Sequence, residues 1–199
     1  MKSKLKIFYS LIAILLFTFS CKNENNKTSI KFKKECVELN NKGMNFYLNN
    51  EVDSTIFYLE KSIECDPNYT RGKTNLITIL AENKKYHRAS KLSKEVYEIT
   101  KSPFDLIRYA SFEEILEKEN FKTLYEKAFI ELKAIEKENP EDLNILALII
   151  PLEVKLEKID TREATEKINN FRKKYINKNE FHKNRILDSL IKDLLINNK

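Results

Sequence analysis

Three of the four prolines in this chain follow a residue whose side chain caps helices: Asp66-Pro67, Ser102-Pro103 and Asn139-Pro140. A short acceptor side chain followed by proline marks the first turn of a helix, where the missing proline N–H costs no hydrogen bond. The pairs recur at intervals of 36 and 37 residues. A helix-start signal repeated at that period implies stacked helical units, each long enough for one hairpin. Glycine reinforces the point: only Gly43 and Gly72 occur in 199 residues, too few for a fold of strands and tight turns.

Two amphipathic stretches lie between successive start signals. They are predicted at 35–49 and 52–65, 69–83 and 86–101, 104–119 and 121–138, and 141–158 and 161–175. Leu124, Ala128, Leu132 and Ile135 illustrate the helical spacing of the apolar positions. Short connections around Asn49-Asn50, Asn83-Lys84 and Asn120 make each pair antiparallel. A last helix over 179–196 carries Ile186, Leu187, Leu190, Ile191, Leu194 and Leu195 on one face, suited to covering an exposed end of the stack. Pro151 falls inside the 141–158 stretch and predicts a kink tolerated by burial.

Residues 36–69, CVELNNKGMNFYLNNEVDSTIFYLEKSIECDPNY, resemble a tetratricopeptide repeat. Gly43 stands where the family brings its two helices closest, with Phe46 at the aromatic place three residues on. Thr55 takes the usual alanine position, Leu59 an aromatic one, and Asp66-Pro67 closes the unit. Leu39 replaces the usual tryptophan and Lys42 the usual leucine. A shift of 34 residues gives a second unit through Ile77, Leu80, Tyr86, Ala89 and Val96. Phe121, Leu124 and Ala128 mark a third, and Ala164, Ile168 and Phe171 a fourth. The resemblance implies an all-α, right-handed superhelix of antiparallel hairpins over 34–177, with a C-terminal capping helix over 178–199.

The N-terminus reads as an address. MKSKLK is basic, residues 7–19 form an apolar run of 13, and Ser20-Cys21 precedes an abruptly polar segment. Such a run is short for a membrane span, which needs ~20 apolar residues, and has the layout of a secretory signal. Thr18-Phe19-Ser20-Cys21 resembles a bacterial lipoprotein box, which implies cleavage after residue 20 and lipidation of Cys21 through its thiolate. Thr18 and Phe19 depart from the usual aliphatic-then-small pair. Several acyl chains on one residue would anchor durably. Residues 21–33 form a polar tether, of which the twelve residues after Cys21 reach at most ~40 Å. A cell-envelope location follows, the outer membrane favoured over the inner.

Charge excludes another class. The net charge of +6 falls to +3 once Lys2, Lys4 and Lys6 leave with the first twenty residues, 33 bases then facing 30 acids. Nucleic-acid binders concentrate far more positive charge on one face. No catalytic constellation can be named. His87 and His182 fit no metal-ligand pattern, two isolated glycines cannot build a phosphate loop, and Glu113-Glu114 is ordinary for a surface one-third charged. Neither cofactor nor metal is expected. Cys36 and Cys65 fall at neighbouring hairpin ends in a chain whose export would permit a disulfide. Helix axes 8–10 Å apart, set against the ~7 Å a disulfide tolerates between Cα atoms, favour two buried free thiols. In the basic run 171–185, Phe171, Tyr175 and Phe181 are expected in the core and the lysines in solvent.

The resemblance further implies a concave groove, lined by the first helix of each unit, that holds an extended peptide or a partner helix. The residues turned that way are Asn40, Met44 and Tyr47, then Thr74 and Thr78, then Tyr109 and Glu113. The basic-and-asparagine clamp that some members use for a C-terminal carboxylate is matched only at Asn75, since Leu106 and Ala110 stand where bases are required. The expected function is therefore a lipid-anchored interaction scaffold with a protein or peptide partner. The alternative is a lipoprotein that binds peptide or glycan for uptake.

Overall fold

The computed structural model describes residues 32–177 and 179–196. The signal segment, Cys21 and the tether up to residue 31 lie outside the described residues. Among those described, the secondary structure is helical throughout: α1 Lys34–Leu48, α2 Val52–Cys65, α3 Thr70–Glu82, α4 Tyr86–Thr100, α5 Pro103–Ile115, α6 Phe121–Glu138, α7 Leu143–Lys155, α8 Thr161–Tyr175 and α9 Phe181–Ile196. None of these helices is long and apolar enough to cross a membrane. They pair as antiparallel hairpins and divide into two compact units, 32–128 and 129–196, with the boundary inside α6.

One backbone device closes every hairpin. The N–H groups of Glu51, Lys85, Lys118 and Lys158 donate to the carbonyls of Phe46, Leu80, Glu113 and Glu153, at 2.8–3.0 Å. The residue before each donor, Asn50, Lys84, Glu117 or Glu157, is left-handed, with φ of 60°, 57°, 54° and 55°. This is the six-to-one bond that satisfies orphan carbonyls at a helix C-terminus. None of the four residues is glycine, although glycine adopts that conformation most cheaply. The third turn therefore centres on Glu117, three residues before the predicted Asn120, and α5 stops at Ile115.

The prolines divide into two roles. Ser102-Pro103 opens α5 as predicted, with Pro103 in the first helical position. Asp66-Pro67 and Asn139-Pro140 do not cap α3 and α7. Each begins a tight turn in which the fourth residue, Tyr69 or Asp142, donates its N–H to the carbonyl of Asp66 or Asn139, at 2.9 and 3.1 Å. Proline at the second place of such a turn uses the same fixed φ that suits a helix start. The cap of α7 is Asp142, which accepts from the Asn144 N–H at 2.8 Å. The helix runs on through Pro151.

In the first unit α1 to α5 each pack on the next, and α1 also meets α3. Leu59, Leu76, Ile77, Leu80, Ala89, Val96 and Phe112 belong to its core. Small residues set the closest crossings. A Cβ placed on Gly43 would lie 3.0 Å from Leu59 Cγ and 3.2 Å from the Leu59 backbone nitrogen. Thr55 and Ala89 are fully buried at the corresponding places of α2 and α4. Phe32, near the end of the expected tether, is docked edge-on against Tyr69, with ring centres 4.8 Å apart.

Cys36 and Cys65 form a disulfide, with Cα atoms 5.4 Å apart. The free thiols expected from sequence are corrected by this geometry. Axis spacing was the wrong quantity: a Cα sits about 2.3 Å off its helix axis, so facing residues on axes 8–10 Å apart approach to roughly 3.4–5.4 Å.

In the second unit Leu146, Ile150, Ala164, Ile168, Phe171, Leu187, Leu190 and Leu194 unite α7, α8 and α9. Asp160 and Glu163 start α8 with reciprocal side-chain bonds to each other's N–H, at 2.8 and 3.0 Å. Phe171 is buried and Tyr175 half-buried, but Phe181 is 76% exposed. The expectation that Phe181 is core fails because it is the first residue of α9, nearly two turns before the buried stripe that begins at Leu187.

Candidate partner-binding face

The first helices of the first three hairpins, α1, α3 and α5, carry all the groove residues named from sequence. On α1, Asn40, Met44 and Tyr47 recur at helical spacing and fall on one stripe. Asn40 is only 2% exposed. Its Oδ1 accepts from Asn75 Nδ2 at 2.8 Å, tying α1 to α3. One Asn75 amide hydrogen is thus committed to Asn40, while the Asn40 amide itself donates to Asn41 Oδ1 at 3.4 Å. Met44 is half-buried and packs on the core, leaving part of a flexible thioether at the surface.

Tyr47 and Glu82 form a second link between α1 and α3. The phenol donates to Glu82 Oε1 at 3.1 Å. Burial raises the Tyr47 phenol above its ordinary value of 10.0, and the bond to Glu82 and the carboxylate charge raise it further. On α3, Thr74 and Thr78 are half-buried, and the Thr78 hydroxyl donates to the Thr74 carbonyl at 3.2 Å.

Tyr109 and Glu113 repeat the pairing within α5. Tyr109 donates to Glu113 Oε2 at 3.3 Å, and Ser90 of α4 donates to Oε1 at 2.6 Å. Burial again raises the phenol, followed by the charge of Glu113, while a hydrogen bond with Asn120 acts in the opposite sense. Glu113 is 9% exposed, so the part of this pair open to a partner is Tyr109. Leu106 and Ala110 are fully buried. Two tyrosines, each locked by a carboxylate, therefore stand on half-buried ground. An aromatic ring fixed in this way offers contact area at little further cost in conformational entropy.

Sequence reading missed two buried cations of this unit. Lys73 of α3 is ion-paired with Glu95 of α4, and Arg108 with Asp105 one turn earlier. Burial lowers the Arg108 guanidinium, against the raising effect of Asp105. Both residues sit within otherwise amphipathic helices, and nothing in their spacing separates them from solvated charges. His87 is exposed. Among the described residues, no group of three His, Cys, Asp or Glu side chains is placed to hold a metal ion.

Neither a protein-family model nor a curated protein matches the chain by sequence. The fold does have solved counterparts. One is TTC0263, a thermophilic TPR protein of Thermus thermophilus, at 14% identity and a TM-score of 0.51, over 81% of this chain and 87% of that one. Another is MamA, from residue 41 to its end, of Desulfovibrio magneticus RS-1, also at 14% identity and a TM-score of 0.51, over 84% and 93%. The fold is thus of the tetratricopeptide type. Identities this low define a fold and nothing finer.

Proposed function

We propose that this chain is a lipid-anchored protein of the cell envelope that holds a protein or peptide partner on the face formed by α1, α3 and α5. The observation that carries the proposal is the pair of fixed phenols, Tyr47 on Glu82 and Tyr109 on Glu113, on the first helices of the first and third hairpins. Rigid aromatic side chains with a polar tip are the usual anchors of a protein interface. Thr74, Thr78 and Met44 lie on the same helices and would supply adaptable contacts. The anchor rests on the apolar run, Ser20 and Cys21. The Cys36–Cys65 disulfide agrees with export, because such bonds persist in oxidising compartments.

Purification of the tagged full chain from detergent-solubilised envelopes tests this reading. Stable protein partners are expected with the native chain, and their loss with Tyr47→Ala combined with Tyr109→Ala. A retained glycan or small peptide, with no protein partner, would support the uptake alternative and overturn the scaffold. Intact mass of the native chain against Cys21→Ser reads the anchor separately. A mature chain without added acyl mass would remove it.

A further inference from the structure

A groove of about 640 Å³ runs between α6, α7 and α8, lined within the second unit. Its floor is apolar: Leu146 and Ile150 of α7 and Phe171 of α8, with half-buried Tyr175 beside them. Four lysines and two glutamates stand around it. Two of the lysines are neutralised locally. Lys167 of α8 donates to both carboxylate oxygens of Glu153 of α7 at 2.8 Å, and Lys133 is ion-paired with Glu136 on α6. Lys137 and Lys174 make no ion pair among the described residues, so the lining has an excess of two positive charges.

Topology gathers that excess at one end. The chain reverses between α6 and α7 and again between α7 and α8, so α6 and α8 run in the same direction. Lys133, Glu153 and Lys167 fall toward one end of the groove. Lys137 in the last turn of α6, Leu146 early in α7 and Lys174 in the last turn of α8 fall toward the other. Lys174 is also held over the Tyr175 ring, 4.9 Å from its centre. An apolar trough closed at one end by two cations lacking a counter-charge is complementary to a ligand with apolar side chains and carboxylates.

We infer that this groove is a second docking site, for an acidic amphipathic peptide segment of another protein. Its apolar side chains lie on Leu146, Ile150 and Phe171, and its carboxylates meet Lys137 and Lys174. The charged end governs which segments bind, and the floor supplies burial. The site shares no residue with the α1–α3–α5 face, so either can fail without the other.

The probe is a fluorescein-labelled peptide of about twelve residues, with leucines at helical spacing and glutamates elsewhere. It is titrated by fluorescence anisotropy against the full chain in nonionic detergent, with micelles alone as the blank. Saturable binding is expected, weakened about tenfold or more by Lys137→Glu combined with Lys174→Glu and by raised salt. The same leucine pattern with lysine in place of glutamate should bind at least about tenfold more weakly. Lys122→Glu combined with Lys192→Glu, which changes exposed lysines outside the groove, should leave affinity within about twofold. No saturable binding below about 1 mM overturns the inference. So does equal binding by the lysine peptide, or an affinity that Lys137→Glu with Lys174→Glu leaves unchanged.

Discussion

Reducing the Cys36–Cys65 bond should weaken the first unit by an amount that follows from its position. The two residues are 29 apart in sequence, so the bond closes a loop spanning most of α1 and all of α2. Restricting a loop of that size in the unfolded chain is worth about 3.6 kcal/mol at 25 °C on the chain-entropy account. Cys36 is fully buried, and its thiol would remain in an apolar setting after reduction, so little of that loss is recovered by solvation. For a urea dependence of about 2 kcal/mol per molar, the midpoint should fall by about 2 M. The assay is urea unfolding of the chain from residue 22 onward, followed by circular dichroism, with and without dithiothreitol. Alkylation under denaturing, non-reducing conditions should find neither thiol free. Two alkylated cysteines, or equal midpoints in the two conditions, would refute the reasoning.

Three other outcomes follow from the same packing. Gly43→Leu and Ala89→Leu should each cost ~1–3 kcal/mol, because Leu59 blocks the first and full burial the second, while exposed His87→Leu should move stability by less than ~0.5 kcal/mol in the same urea assay. Lys84→Gly and Glu157→Gly, at left-handed φ of 57° and 55°, should raise stability by about 0.5–1 kcal/mol, and Asn50→Gly by less because asparagine tolerates that region; thermal midpoints check the order. The raised Tyr47 and Tyr109 phenols make stability fall as pH rises through 10.0, since the unfolded chain gives up those protons first and the folded one only at higher pH. Tyr47→Phe combined with Tyr109→Phe should flatten that alkaline fall in unfolding free energy.

Helix order was legible in sequence because apolar spacing and chain reversals are local. Every helix appears within a few residues of its expected span, with the largest difference at the C-terminal end of α5. Helix starts were less legible. Aspartate or asparagine before proline fits a tight turn as well as a cap, and only the following backbone decides, as Tyr69 and Asp142 show. The disulfide was missed by comparing axis spacing with a Cα limit. On the candidate face, spacing places Asn40, Met44 and Tyr47 on one stripe of α1 but does not give their chemistry. Asn40 is consumed by Asn75, a residue 35 positions away, and Glu113 by Ser90 and Tyr109. Periodicity gives the direction of a side chain, not the partner that meets it from another helix.

The claim that partners are held by the first helices of the hairpins is tested most directly by photocrosslinking in envelopes. A photoreactive phenylalanine analogue is placed singly at Thr78, at Tyr109, and at exposed Lys91 on a second helix. Crosslinks to the same protein partner from Thr78 and Tyr109, and none from Lys91, are the predicted result. Crosslinks from Lys91 alone would contradict the account.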